Sequence, residues 1–264
     1  MERKIKSEFK PDYIELVSPT THPLKKITFG LLTVKDNYNW KSYVEETVFI
    51  LLSGKVKIYI RDLILNLGPR RSVFQERASA FWLPPNNSIK IEAESAEANL
   101  AVVKSPLDIN DASSDYFILY PQDIKLNKRG HSNWLRKVYD IITPKHPSKS
   151  LIIGETINYP GNWSSFPPHR HDKDDYPNES CLEEIYFYQL DPPYGFGMQR
   201  LYNDDLSLDK AFILNNGDIV VIDQGYHPVV AAPGISLYYL WILAGEKRIL
   251  AAKDDPKYEW LHNI

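Results

Sequence analysis

The pattern that decides the fold is clearest in residues 182–188, whose sequence is LEEIYFY. In a β-strand, successive side chains point to opposite faces of the sheet, so residues two apart share a face. Glu184 therefore shares one face with the two tyrosines. Glu183, Ile185 and Phe187 share the other face, and we expect that face to pack against an opposing sheet because two of its three residues are apolar.

Short segments of this kind recur along the whole chain and are separated by Gly, Pro and Asn-Gly turns. The first predicted series of strands comprises residues 27–34, 47–52, 55–60, 63–67, 79–83, 88–92 and 100–104. The second comprises residues 131–142, 150–159, 184–190, 197–202, 210–214, 218–222, 227–231 and 236–244. Since paired sheets bury alternating residues between them, the pattern predicts an all-β protein built from two jelly-roll sandwiches or barrels.

A polar segment interrupted by proline, residues 105–128, separates the two series. We interpret it as a connector between domains. The predicted organisation is therefore an N-terminal β domain at 1–104 and a C-terminal β domain at 129–264. A length of 264 residues is comfortable for two domains of ordinary size.

Composition argues against several classes of function. Lys plus Arg number 31 and Asp plus Glu number 34, so the formal net charge is −3 and no overall basic field attracts nucleic acid. No apolar run reaches the length of a membrane helix, which predicts no membrane partner. The single cysteine, Cys181, excludes an internal disulfide and favours a reducing compartment, so we expect a cytoplasmic protein.

Histidines and a glutamate predict a metal site in the second domain. His169 and His171 lie two residues apart, so on an extended backbone their imidazoles converge while Arg170 faces away. Glu184 supplies a carboxylate from a neighbouring strand, and His227 follows a glycine turn in a later hairpin. Imidazole and carboxylate together suit divalent transition metals. We therefore predict one divalent metal ion per chain, with zinc, manganese and iron all suited to this ligand set.

Four blocks of sequence, in order, are similar to the 5-deoxy-glucuronate isomerase family, the bicupin isomerases of myo-inositol catabolism. The blocks are GNWSSFPPHRHD at 161–172, LEEIYFY at 182–188, GFGMQRLY at 195–202 and GYHPVVAAPG at 225–234. The resemblance is dense from about residue 129 onward and thinner, but still collinear, before residue 104. It therefore covers essentially the whole chain.

The resemblance implies a metal-dependent aldose–ketose isomerase that converts 5-deoxy-D-glucuronate to 5-dehydro-2-deoxy-D-gluconate. It also implies that His169, His171, Glu184 and His227 occupy the metal positions of the family. The N-terminal half has no H-x-H pair and resembles a cupin without a metal site. The metal would stabilise the enediolate that forms when the carbon-bound proton leaves.

Other residues are candidates for contacts with a small sugar acid. Arg200 is our first choice for the substrate carboxylate, because a guanidinium gives two parallel hydrogen bonds; a solvent-facing arginine is the alternative. Tyr186 and Tyr188 share the face of Glu184 and either bind substrate hydroxyls or fill the barrel. Asp172 either orients His171 or lies in an exposed loop. No residue is singled out as the catalytic acid or base.

Three alternative functions remain open from the sequence. One is an isomerase of a related uronate, of the 4-deoxy-threo-hexosulose-uronate type. Another is an iron-dependent cupin oxygenase, since open positions on a His/Glu-held iron can bind dioxygen. The third is a sugar-binding bicupin without catalysis. Aromatic sheet faces also leave association into a homo-oligomer open.

Overall fold

The computed structural model describes residues 2–107 and 115–263 and is built almost entirely of antiparallel β-strands. The strands up to the undescribed segment are β1 (Lys4–Lys6), β2 (Asp12–Val17), β3 (Thr28–Val34), β4 (Asn37–Lys41), β5 (Glu45–Ile60), β6 (Leu63–Arg70), β7 (Ala80–Leu83), β8 (Ser88–Ala93) and β9 (Ala98–Pro106). This architecture confirms the predicted all-β class.

The strands after that segment are β10 (Phe117–Leu119), β11 (Leu126–Arg129), β12 (Arg136–Ile142), β13 (Leu151–Asn158), β14 (Trp163–Ser164), β15 (His169–Arg170), β16 (Asp172–Asp175), β17 (Glu179–Cys181), β18 (Glu183–Asp191), β19 (Gly197–Tyr202), β20 (Asp209–Leu214), β21 (Asp218–Ile222), β22 (Val229–Ala231), β23 (Ser236–Ala244) and β24 (Lys253–Asp254). Short 3-10 helices cover Ser132–Trp134 and Pro256–Asn263. No helix in the described ranges is long and apolar enough to cross a bilayer.

Each half contains a large sheet. In the first half, the strand order is β10-β7-β5-β9-β3-β2, with β4, β6 and β8 attached through β5 and β8. In the second half, the order is β1-β21-β18-β23-β13-β12-β11. A smaller sheet, β14-β22-β19-β20, belongs to the second half, and its buried residues pack in one cluster with those of β18 and β23. Two strand pairs, β15-β24 and β16-β17, complete the second half.

The buried apolar side chains form three clusters. One lies within each half, and the largest contains residues from both halves, including Phe29, Val48, Ile185 and Phe187. The rings of Phe29 and Phe187 lie 5.6 Å apart between centroids. The large sheets of the two halves therefore pack against each other, and the apolar face of β18 contributes to that contact.

Two carboxylates hold the halves together in matching ways. Glu183, at the start of β18, accepts hydrogen bonds from the backbone N–H groups of residues 25–27, which precede β3, at 2.6–2.8 Å. Glu46, the second residue of β5, accepts hydrogen bonds from the backbone N–H groups of Lys149 and Ser150, which precede β13. Each half thus binds the backbone of the other half at an equivalent place.

The equivalence of Glu46 and Glu183 aligns the strands that follow them. Thr47 then stands in the first half where Glu184 stands in the second, because each is the next residue along its strand. Both lie on the strand face opposite the contact between the halves, since neighbouring residues of a strand alternate. The first half thus presents a hydroxyl where the second presents a carboxylate.

The structure departs from the predicted connector and boundaries. Within residues 105–128, β10 pairs with β7 of the first half and β11 pairs with β12 of the second, so this segment contributes a strand to each large sheet. β1 pairs with β21 and joins the sheet of the second half, although we had placed it in the first domain. These strands have three or four residues each, too few for alternation to be visible in the sequence.

Some strand limits also differ from the predictions. The predicted strands 47–52 and 55–60 are one strand, β5, which continues past Gly54 with a shift in register. Gly54 has a φ of 91°, which a side chain rarely adopts. The predicted strand 131–142 begins only at Arg136, because a 3-10 helix occupies Ser132–Trp134.

A buried ion pair also joins the halves. The guanidinium of Arg70, at the end of β6, donates two hydrogen bonds to Glu155 on β13, at 2.8 and 2.9 Å. Both side chains are 1% exposed. Tyr238 donates a further bond to Glu155 at 2.8 Å, and Arg70 also donates to the carbonyl of Leu51 at 2.7 Å. The charges are therefore paired, and each side chain makes several hydrogen bonds.

We expect Glu155→Gln to lower the free energy of unfolding by about 3–5 kcal/mol, because it leaves the buried guanidinium without a counter-charge. Denaturant unfolding followed by circular dichroism measures the change. Arg71→Met is the matched control: its exposed pair with Glu76 is worth about 1 kcal/mol or less. Equal losses in the two variants would contradict a special role for the buried pair.

Candidate metal centre

Three buried side chains converge inside the second half. The imidazoles of His171 and His227 and the carboxylate of Glu184 are 0–4% exposed, and their ligand atoms lie within 4.8 Å of one another. His171 Nε2 is 3.1 Å from Glu184 Oε2, and His227 Nε2 is 3.3 Å from the same oxygen. Residues far apart in the sequence thus meet around one point.

Backbone carbonyls fix the orientation of both rings. His171 Nδ1 donates to the carbonyl of Leu182, and His227 Nδ1 donates to the carbonyl of Gly225, each at 2.9 Å. A carbonyl oxygen only accepts, so Nδ1 carries the hydrogen in each ring. In each neutral ring, the lone pair of Nε2 therefore faces the carboxylate of Glu184.

This arrangement fits a cation. His227 Nε2 is buried and has no hydrogen-bond partner among the described residues. Two nitrogen lone pairs that face a carboxylate oxygen in a buried site repel one another unless a proton or a metal ion lies among them. Two imidazoles and one carboxylate are also a donor set that divalent transition metals favour. The group can therefore hold a metal ion.

Burial and mutual contact shift the pKa values of these groups. Burial lowers the pKa of His227 well below its ordinary value, and the neighbouring His169 and His171 lower it further. Burial also lowers the pKa of His171, but the hydrogen bond and charge of Glu184 outweigh this effect and the pKa is raised. Burial raises the pKa of Glu184. His227 is thus neutral, the form that binds metals.

His169 lies beside this group rather than within it. Its ring centroid is 4.9 Å from that of His227 and 6.5 Å from that of His171. Its Nδ1 donates to the carbonyl of Pro167 at 3.2 Å, so its Nε2 is also unprotonated in the neutral ring. Burial, with a contribution from His171, lowers its pKa to about 3. Arg170 points elsewhere and pairs with Glu179, as the alternation predicts.

Asp172 has a different contact from the one predicted. The sequence leaves open whether Asp172 orients His171 or lies in an exposed loop; in the structure, the carbonyl of Leu182 orients that ring. Neighbouring residues of an extended chain point in opposite directions, so Asp172 faces away from that ring. Its carboxylate instead accepts the backbone N–H of Gly225 at 2.6 Å. Asp172 therefore holds the turn that carries His227.

Gly225 is required in that turn. Its φ is 88°, and a Cβ at this position would lie 2.6 Å from the carbonyl oxygen of Tyr202. The glycine lets the chain turn tightly before His227. Its N–H and C=O groups contact Asp172 and His227 respectively.

A cavity of about 400 Å³ opens beside the candidate metal centre, a size typical of small-molecule sites. Its polar lining includes His169, His171, Glu184, Arg129, Arg136, Asp140, Asp254, Tyr186 and Tyr239. Its apolar lining includes Val138, Phe166, Trp241 and Leu243. Tyr186 was a predicted substrate contact, and its hydroxyl is hydrogen-bonded to Ser165 Oγ at 2.9 Å.

Two predicted substrate contacts lie away from the cavity. Arg200 is part of β19, where Gln199 and Leu201 point inward and are fully buried, so its own side chain points outward. Its exposed guanidinium forms two bonds with Asp209, at 2.8 and 2.9 Å. Tyr188 is fully buried and donates to Gln199 at 2.9 Å, which is the barrel-filling alternative. Neither residue lines the cavity.

We expect Asp172→Ala to weaken the binding of a divalent metal about 10-fold or more, because the turn that carries His227 loses its anchor. Competition titration against a chelating dye, with zinc as the probe, measures the affinity. Asp174→Ala is the control, since Asp174 is exposed and pairs with Lys247 at the surface. Unchanged affinity in the Asp172 variant, or an equal loss in the control, would contradict the assignment.

Comparison with known sequences relates the chain to isomerases. It is 36% identical over 219 residues to the 5-deoxy-glucuronate isomerase of Geobacillus thermodenitrificans (strain NG80-2), covering 82% of this chain and 78% of the relative. It is 33% identical over 267 residues to the 5-deoxy-glucuronate isomerase of Bacillus subtilis (strain 168), covering 98% and 97%. These relatives agree with the resemblance found in the sequence.

Comparison with solved structures supports the bicupin fold. An IolB-like protein from Salmonella typhimurium LT2 superimposes with a TM-score of 0.93 at 27% identity, covering 99% of this chain and 100% of that chain. The oxalate decarboxylase of Lactobacillus farciminis, a bicupin, superimposes with a TM-score of 0.70 at 12% identity, covering 100% and 91%; this likeness concerns the fold alone. Residues 3–261 match the KduI/IolB family, and the chain therefore belongs to that family.

Proposed function

We propose that this protein is an aldose–ketose isomerase that converts 5-deoxy-D-glucuronate to 5-dehydro-2-deoxy-D-gluconate. The observation that carries the proposal is the convergence of His171, Glu184 and His227 beside a polar cavity, in a chain whose relatives are named 5-deoxy-glucuronate isomerases. A role in myo-inositol catabolism is part of the proposal, because the family resemblance of the sequence implies it. No observation favours a related uronate, an oxygenase or a non-catalytic binding protein.

His171, Glu184 and His227 would hold one divalent metal ion, with His169 beside them as the fourth candidate ligand. Zinc, manganese and iron all suit this donor set. When bound, such an ion would act as a Lewis acid on the carbonyl and adjacent hydroxyl oxygens of the open-chain sugar. The carbonyls of Leu182 and Gly225 keep both ring nitrogens aimed at that position before any ligand arrives.

The chain's own residues supply the surroundings that the isomerisation requires. The reaction removes a proton from C2 and adds one to C1, so it needs no external oxidant or reductant. Trp241, Leu243 and Val138 form an apolar wall that limits water around the reacting carbons. The hydroxyls of Tyr186 and Tyr239 are hydrogen-bonded to serines at the end of β14, Ser165 and Ser164 respectively. They are placed to bind substrate hydroxyls.

We also propose that the two halves have different roles: the second half binds the metal, and the first half has no metal site and stabilises the second by packing against it. The first half presents Thr47 at the position equivalent to Glu184, which agrees with this division. The free thiol of Cys181 agrees with a cytoplasmic location. Self-association through aromatic sheet faces stays a prediction.

We expect the purified protein to convert 5-deoxy-D-glucuronate, with loss of the aldehyde signal and gain of the ketose signal by NMR. Glu184→Gln should lower kcat/KM at least about 100-fold, because metal ligation and transition-state stabilisation worth several kcal/mol are lost. His22→Ala, in a loop of the first half, should keep full activity. Elemental analysis of wild type and variants, with chelation and add-back of zinc, manganese or iron, identifies the metal.

Other outcomes separate the alternatives. Absence of conversion with each metal supplied would refute the isomerase proposal. Oxygen consumption with the sugar acid would indicate an oxygenase, and binding without turnover would indicate a sugar-binding protein.

We expect Tyr186→Phe to lower kcat/KM about 10-fold, because one hydrogen bond between the cavity and a substrate hydroxyl is lost. Tyr188→Phe is the matched control on the same face of β18, since Tyr188 contacts Gln199 outside the cavity. Its kcat/KM should stay within about twofold of wild type. Steady-state kinetics on both variants measures the difference, and equal effects would show that Tyr186 has no contact of its own with the substrate.

A further inference from the structure

Two arginines lie opposite each other at one side of the cavity. Arg129 ends β11 and Arg136 begins β12, and the antiparallel register pairs them directly. Both line the cavity that also contains His169 and Glu184. Like charges directly opposite on neighbouring strands destabilise a sheet, so this pair calls for an explanation.

No carboxylate of the described ranges lies within ion-pair distance of the Arg136 guanidinium, although Asp254 shares the cavity and its charge acts on the arginine. Arg136 is half-buried, and among the described residues only its Nη1 donates hydrogen bonds, to the backbone carbonyls of Trp134 at 3.2 Å and Phe166 at 3.1 Å. Neither Arg136 nor Arg129 forms an ion pair with a described carboxylate. Burial lowers the pKa of Arg136 and the charge of Arg129 adds to this effect, while Tyr239, Tyr186 and Asp254 act in the opposite direction. Nε and Nη2 of Arg136 remain available as donors.

The carboxylates of the same cavity already have donors of their own. Asp140 accepts a hydrogen bond from Asn127 at 2.7 Å, and Asp254 accepts one from His262 at 2.8 Å. The guanidinium of Arg200, by contrast, already donates two hydrogen bonds to the carboxylate of Asp209. Within the described part of the chain, Arg129 and Arg136 therefore differ from Arg200 in having no paired carboxylate, which leaves them able to bind an anion.

We propose that Arg136, assisted by Arg129, binds the carboxylate of the sugar acid and thereby fixes which end of the open chain faces His171, Glu184 and His227. This inference rests on the proposed function and names the residue that selects an acidic over a neutral sugar. A guanidinium with two free donors suits a carboxylate, which it binds through two parallel hydrogen bonds.

One hydrogen bond and three residues of backbone connect Arg136 to the metal side of the cavity. Arg136 donates to the carbonyl of Phe166, and Phe166 lies three residues before His169. The backbone of residues 166–169 therefore both accepts a hydrogen bond from Arg136 and carries His169. A sugar acid anchored at Arg136 would present its far end, the aldehyde, toward the candidate metal centre at a set distance.

The test compares an acidic and a neutral sugar of the same skeleton, 5-deoxy-D-glucuronate and 5-deoxy-D-glucose. We expect Arg136→Met to raise KM for the acid about 10- to 100-fold and to leave kcat/KM for the neutral sugar within about threefold. Arg136→Lys should recover part of the loss, because it keeps a charge but not the paired donors. Arg129→Met should have a smaller effect of the same kind, and Arg200→Met none.

A second measurement keeps the inference separate from the proposed reaction. Calorimetric titration with 5-deoxy-D-glucuronate reports binding whether or not wild type turns the sugar over, and circular dichroism checks that each variant is folded. At least 10-fold weaker binding of the acid by the folded Arg136 variants, but not by Arg200→Met, supports the inference. The inference is overturned if the Arg136 variants bind the acid as tightly as wild type does, or if wild type binds no acid. It is also overturned if the substitution impairs the kinetics of the acid and of the neutral sugar equally.

Discussion

The strict alternation of strand β18 is the constraint on which the rest of the structure depends. Glu183 points into the contact between the halves and binds the backbone of residues 25–27, while Glu184 points into the barrel toward His171 and His227. A shift of the strand by one residue would exchange every side chain between these two surroundings. The packing of the halves and the geometry of the candidate metal centre are therefore set by the same register.

This coupling gives the first half a physical role. Its backbone N–H groups hold Glu183 in place, and Arg70 from the first half pairs with Glu155 on β13, two strands from β18 in the same sheet. Fixed carboxylates at the contact fix the strands that carry them. Precise placement of ligands in the second half thus draws on contacts with the first, as sites held by a rigid surrounding do in general.

The sequence predicted the features that arise from local patterns. Alternation over residues 182–188 identified both faces of β18, and the H-x-H spacing with Glu184 and His227 identified side chains that the fold brings together. The resemblance to a family extended these local signals to a fold and an activity. His169 shows the limit of spacing alone, since it lies beside the group of three ligand atoms rather than within it.

Features that depend on long-range pairing could not be predicted in this way. Arg200 was favoured for its charge and its strand, but the burial of Gln199 and Leu201 turns it outward. Arg136 was missed because only its pairing with β11 and its bond to Phe166 bring it to the cavity. No local signal in the sequence distinguishes these two arginines, since the face of β19 that carries Arg200 also carries Met198 and Tyr202 and therefore does not read as the outward face.

The pairing of β1 with β21 bears on how the chain is assembled during synthesis. Arg3 forms two bonds with Asp223, 220 positions away, so β1 is synthesised well before the strand with which it pairs. Contacts over such separations form late. Once in place, β1 replaces β21 as the edge strand of the sheet that carries Glu184, and an edge strand of three residues offers few groups for pairing with a strand of another molecule.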